Sequence, residues 1–300
     1  TLTVTDNAAR QASDQVVVTV STVTTPTGNV FVVANGAANA SDGNAGTEAA
    51  PWKTLAKAAS VAKAGQTVLV RAGTYYETLA PKASGTVGNL ITFKAYPGDE
   101  CKGLFAGTKS DCRVIIDGQN TRDNGINAYP RKFIRFEGFE IRNHGDDGIY
   151  LQGYYDTTCD GLEVVNNYVH HNQNDAITFR GNSHNALIEN NEITANSQTG
   201  ISFGGGSGHI LRGNNIHFNG KDGMRGGGDN IMIEFNKLYD QFHTDLHPDG
   251  MDLGDMSDSI LRYNTLYDFT QLMYFHDFDN GGGFINLQIY GNVFYTDRYW

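Results

Sequence analysis

No apolar run in this chain approaches the roughly 20 residues that a membrane-spanning helix needs, so insertion into a bilayer is not expected. Basic residues are also in short supply. Lys and Arg number 22 against 33 Asp and Glu, a formal charge of −11 that argues against nucleic acid and anionic membranes as partners. An acidic polymer as ligand would need help from a bound cation or a local basic cluster. Zinc signatures are missing as well: neither an HExxH motif nor a paired-cysteine motif is present, which leaves His243, Asp245 and His247 as a weak zinc set. Proline is scarce, at 6 in 300 residues, whereas glycine reaches 36, with Asn-Gly, Asp-Gly and Gly-Gly pairs throughout; the chain therefore turns often. Of only three cysteines, Cys101 and Cys112 bracket a polar, Gly-containing loop and suit a small disulfide in an oxidising, extracellular compartment. Cys159 has no evident partner and suits a small buried position.

Residues 1–20 carry two alternating strand patterns around a polar loop, the form of a closing hairpin of a PKD- or immunoglobulin-like sandwich. Twenty residues cannot enclose a sandwich core, so they are expected to be the end of an incomplete module, with 21–29 as linker. A strand at 30–34 follows. Thr54 then suits a helix N-cap, with Leu55, Ala58, Ala59 and Ala62 on one face of a short helix.

From residue 140 onward the sequence repeats. Asn followed two residues later by an apolar side chain recurs at Asn167, Asn191, Asn214, Asn236, Asn264 and Asn292, at intervals of 24, 23, 22, 28 and 28 residues. Each unit also contains a second strand: DGIYL (147–151), DAITF (175–179), TGISF (199–203), DGMRG (222–226), DGMDL (249–253) and QLMYF (271–275). Units this short cannot bury a face alone and must stack. Strands without helices at this period predict an all-β parallel β-helix over 30–300, continuing beyond the given chain, because an uncapped end would expose strand edges and core. Asn172, Asn196 and Asn219 form a further column suited to an amide ladder. His170, His171, His209 and His217 read as solvated or ladder residues.

The segment GTEAAPWKTLAKAASVAKAGQTVLVRAGTYYE, followed by SGTVGNLITFKAYPGDE, resembles the N-terminal cap and first coils of secreted right-handed parallel β-helix proteins. Polysaccharide lyases of the pectate lyase type are the best-known of these. The resemblance covers roughly 29–300 and implies a right-handed solenoid with a short capping helix at its start.

Stacking the coils at about 4.8 Å aligns the second strands. Alternation turns Ile149, Ile177, Ile201, Met224, Met251 and Met273 inward, and Tyr150, Thr178, Ser202, Arg225, Asp252 and Tyr274 outward. Asp147, Asp175, Thr199, Asp222, Asp249 and Gln271 share the preceding turn position, where Asp is favoured simply for local hydrogen bonding. Asp222, Asp249 and Asp252 thus converge, with Arg225 and Tyr274 on the flanking coils. A longer coil (QFHTDLHP) brings His243, Asp245 and His247 to the edge. Close carboxylates either hold a hard cation, typically calcium, or shift one another's pKa values for proton transfer. An Asp252–Arg225 surface ion pair is the ordinary alternative.

The D-G-x-D at 249–252, with Asp222 one coil earlier, is similar to the calcium-binding pattern of β-helix pectate lyases. That resemblance implies calcium at Asp222, Asp249 and Asp252, and an acidic polysaccharide cleaved by β-elimination. The family's base is a lysine on a later coil, but no lysine follows Lys237 here and the column offers Tyr274. Arg225, Lys221, His247, His276 and Tyr274 are the remaining catalytic candidates; Tyr150, His243 and Asp245 are candidates for substrate binding. A C5-epimerase or a glycoside hydrolase could use the same carboxylates. A non-catalytic adhesin or fibre subunit, capable of self-association, is the alternative of a different class.

Overall fold

In each repeat, short runs with every second residue apolar make strands too brief to be stable singly, and the structure satisfies them by stacking. The computed structural model describes residues 2–5, 11–14, 29–102, 111–154, 156–240, 248–277 and 282–296. Leu2–Thr5 and Gln11–Asp14 pair antiparallel as a hairpin. From Val30–Val33 onward the chain is a right-handed parallel β-solenoid of three sheets with ten, nine and eight strands in order. Coil follows coil in register: Val164 pairs Ile188, which pairs Leu211, and Ile193 pairs Ile216. Up to the last coil, the apolar members of the rungs are buried in one continuous core that runs from Val33 to Phe269.

The start of the solenoid follows the expected plan. The side chain of Thr54 accepts a hydrogen bond from the Lys57 N–H (3.0 Å), capping the helix Leu55–Val61. The Glu77 carboxylate accepts from the Leu55 and Ala56 N–H groups (3.2 and 2.9 Å), so further free amides of the first turn find partners. Leu55, Ala58 and Ala59 face the core. Among the described residues no helix is long and apolar enough to cross a membrane. Cys101 and Cys112 are joined as a disulfide, and Cys159 is a buried free thiol.

Two buried amide ladders hold the coils in register. Each asparagine from Asn167 to Asn264 accepts, through Oδ1, the backbone N–H and side-chain N–H of its predecessor or donates onward in the same way. Asn191 donates to Asn214 Oδ1 from N (3.0 Å) and Nδ2 (3.0 Å), and Asn214 donates likewise to Asn236. Asn172, Asn196 and Asn219 repeat the scheme at a second corner.

Of the four histidines expected to be solvated or ladder residues, His171 is exposed, whereas His170, His209 and His217 are drawn in. His209 is 1% exposed and lies edge-on to Phe179, with its Nδ1 accepting from the Ala186 N–H. His217 pairs with Glu192 at 2.6 Å, and buried His170 meets Glu140 at 3.2 Å. The nine-stranded sheet draws His170 and His217 in because long carboxylates and rings stand beside one another on consecutive rungs, rather than pointing to water.

Candidate functional site

The eight-stranded sheet carries the expected outward column. Arg225 pairs in register with Ser202 and Asp252, and Asp252 pairs with Tyr274. Behind it lie Met224 and Met251, both essentially inaccessible. Toward the last coil the inward assignment weakens: Met273 is only partly buried and Phe275 is exposed. Thr178 and Ser202 point outward yet are buried, because Arg180 lies across them and hydrogen-bonds to the Ser202 hydroxyl.

Asp252 lies between the side chains of Arg225 and His276. Its Oδ2 lies 3.3 Å from Arg225 Nε and its Oδ1 lies 2.7 Å from His276 Nε2. The Tyr274 ring stacks on His276 with centroids 5.1 Å apart and remains 43% exposed at the outer lip. His276 and Tyr274 share a face because side chains on one side of a strand recur at every second residue.

The turn aspartates do serve the backbone. Asp147 accepts the Asp175 N–H (3.1 Å), Asp175 the Thr199 N–H (2.9 Å), and Asp222 the Asp249 N–H (3.1 Å). What separates the later pair is the oxygen left over. Asp175 directs its second oxygen to Thr178 and Arg180. By contrast, Asp222 Oδ2 and Asp249 Oδ1 are buried without any hydrogen-bond partner. Burial, then repulsion from Asp222 and Asp252, pushes the Asp249 carboxyl up to about 7. Asp222 is raised chiefly by burial, against the opposing Asp249 N–H, Lys221 and Arg225.

Buried, unpartnered carboxylate oxygens on adjacent coils are the kind of donor a hard cation takes. The third expected ligand, Asp252, turns Oδ2 toward Arg225, while its Oδ1 approaches His276 Nε2 at 2.7 Å outside hydrogen-bond geometry. Among the described residues no group of three or more His, Cys, Asp or Glu is drawn together in a metal-holding arrangement.

Tyr150 stands on the same outward column but four strands from Asp252, about 19 Å at the usual inter-strand spacing. Its hydroxyl meets that of Tyr154 at 2.6 Å, and its own burial raises its pKa. It is therefore not part of the carboxylate cluster. His243, Asp245 and His247 lie outside the described residues.

Sequence reasoning missed the cleft next to this cluster. It encloses about 480 Å³ and is floored by glycines of successive coils, Gly204, Gly226 and Gly254 among them, with Arg180, Arg225 and Asp255 on its walls. The signal was present: Gly204, Gly205 and Gly206 in one coil and Gly226, Gly227 and Gly228 in the next are runs without side chains at matching places.

The family model described as "Pel9A-like, right handed beta helix region" matches residues 34–223, and a general right-handed β-helix model matches 155–298. The chain belongs to the Pel9A-like β-helix family. The Pel9A-like match ends before Arg225, so most of the carboxylate cluster falls within the general β-helix match alone. Pectate lyase PEL9 of Emericella nidulans is 28% identical over 200 residues, 61% of this chain and 47% of that protein. The uncharacterized protein YwoF of Bacillus subtilis is 52% identical over 61 residues, 20% of this chain and 13% of that protein. The chain thus spans less than half the length of either relative. Among solved structures, a GH136 lacto-N-biosidase from Eubacterium ramulus superposes with a TM-score of 0.67 at 15% identity, covering 89% of this chain and 56% of that one. Pectate lyase Pel9A superposes at 0.62 and 17% identity, covering 88% and 69%. At these identities the structural likeness speaks to the fold, which is one shared by carbohydrate-active enzymes.

Proposed function

We propose that this chain is the β-helix of a secreted polysaccharide lyase that cleaves an acidic, uronate-containing polymer by β-elimination. The observation that carries this reading is the pair of orphaned, buried oxygens on Asp222 and Asp249, three positions before Arg225 and Asp252 on their coils, with Arg225 on the wall of an open cleft. Asp222 and Asp249 would hold calcium, with Asp252 bordering it; bound there, the ion would neutralise the uronate carboxylate and acidify the neighbouring C5–H.

The chain's own groups supply the rest. Arg225, at the cleft wall, pairs with the substrate carboxylate and Lys221 adds positive charge nearby. His276, oriented by Asp252, accepts the C5 proton. The C5–H electron pair forms the C4–C5 double bond, the C4–O bond breaks, and the departing oxygen takes a proton from the Tyr274 hydroxyl. Proton return from His276 to Tyr274 through water restores both groups.

The test is ultraviolet absorbance of unsaturated products on pectate, alginate and glycosaminoglycans, with calcium and with chelator. Calcium-dependent absorbance that disappears in Asp252→Ala is expected. Shortened chains bearing new reducing ends but no absorbance would overturn elimination.

One observation favours glycoside hydrolysis as a second reading. An Asp249 carboxyl pushed to about 7 retains a proton near neutrality, the state a general acid needs. New reducing ends without a chromophore, lost in Asp249→Asn, would decide for it.

A further inference from the structure

The cleft takes its lining from four successive coils, those of Arg180, Gly204, Arg225 and Gly254. Its long axis therefore runs along the solenoid, and at about 4.8 Å per coil its span is about 14 Å. One pyranose residue per coil is a length match that suits an extended polymer laid along the axis rather than a single sugar.

The floor is kept bare by glycine. A Cβ placed at Gly204 would meet nothing nearer than Gly227 N, at 4.0 Å, so any side chain there would stand in the cleft. At Gly226 a Cβ would collide with the Phe203 carbonyl oxygen at 1.9 Å, so this glycine is also required for the coils to close.

Arg180 stands at the end of the cleft remote from Asp252, two coils from Arg225, with its side chain 46% exposed. Asp175 Oδ2, at 3.3 Å, and the Ser202 hydroxyl both engage its Nη2 and fix its direction. The fork carries five N–H donors in all, so the others remain for a planar anion in the cleft. The two walls thus present guanidinium groups two coils apart, in a chain whose overall charge is strongly negative.

We infer that Arg180 recognises a carboxylate of the polymer two coils away from the one met by Arg225, and so selects runs of acidic sugars over esterified or neutral ones. This rests on the uronate reading above. The role is one of binding and specificity; Arg180 is too far from the reacting carbon to act on it.

The test measures binding of a galacturonate pentamer, as free acid and as methyl ester, to the wild type, Arg180→Gln and Arg180→Lys by calorimetry at low temperature with calcium present. Expected is a preference of the wild type for the free acid, a loss of about tenfold or more for that ligand alone in Arg180→Gln, and partial recovery in Arg180→Lys. Unchanged affinity in Arg180→Gln overturns the inference. Equal loss for both ligands also overturns it and assigns Arg180 a structural role through Asp175 and Ser202. Failure of the wild type to bind either form removes the galacturonate reading itself, an outcome distinct from binding that ignores Arg180.

Discussion

His276 Nε2 lies 2.7 Å from Asp252 Oδ1, one coil away, while the other oxygen of the same carboxylate faces Arg225. A single aspartate thus orients the imidazole and the guanidinium on either side of it. Asp252→Ala removes both anchors at once. Activity is expected to fall by about 10²–10³-fold, the scale of losing one preorganised electrostatic group. Steady-state rates on the substrate found by the product assay check this, with circular dichroism confirming that the coil survives.

Asp249 and Asp147 are both pushed to about 7 by burial and neighbouring carboxylates. The folded state therefore holds protons that the unfolded state has released between about pH 4 and 7. By linkage, stability falls as pH rises through that window. In metal-free protein, Asp249→Asn and Asp147→Asn should each flatten the fall in melting temperature between pH 5 and 8, and calcium should offset it only where Asp249 is intact. Scanning calorimetry across that range measures the slope.

His209 has the opposite sign. Burial, with repulsion from His184, lowers it to about 4 from an ordinary 6.5, so the unfolded chain binds the extra proton between those values. Its contribution is fully present above about pH 6.5 and is lost as pH falls toward 4, by about 3 kcal/mol in all. His209→Asn, which retains an acceptor for the Ala186 N–H, should be less stable at pH 7 because it leaves space beside Phe179, yet lose much less on going to pH 4.5. Urea denaturation at the two pH values separates these effects.

Asn214 accepts two hydrogen bonds from Asn191 and donates to Asn236 Oδ1 and to the Ile188 carbonyl. Asn214→Leu would strand buried donors and acceptors on both neighbouring coils. A loss of about 2–4 kcal/mol is expected, larger than for the exposed Asn286. Chemical denaturation of the two variants compares them.

The column of outward residues was legible from sequence because coil period and strand alternation together leave one register in which Ile149, Ile177, Ile201 and Met224 all face inward. The N-cap at Thr54 and the asparagine ladders were legible for similarly local reasons. Three things were not. The second oxygen of a turn aspartate is satisfied or stranded according to its neighbours, so Asp175 and Asp222 look alike in sequence and differ in space. His276 meets Asp252 only because the second residue after Tyr274 on the same strand returns to the same face. The cleft arises from side chains that are missing, and glycine runs read first as turns.

Because each coil contributes one rung to the outward column, the working surface is encoded at widely separated points, one outward residue for every 23 to 27 along the chain between Thr178 and Asp252. The residues between belong to the core and the corners. Ligand preference can therefore drift, rung by rung, through substitutions at cleft-wall positions such as Arg180 or Arg225 that leave the stacking of Ile177, Ile201 and Met224 untouched. Removing a whole repeat would shorten the track rather than scramble it. Such a scaffold separates the evolution of what is bound from the evolution of what holds it up.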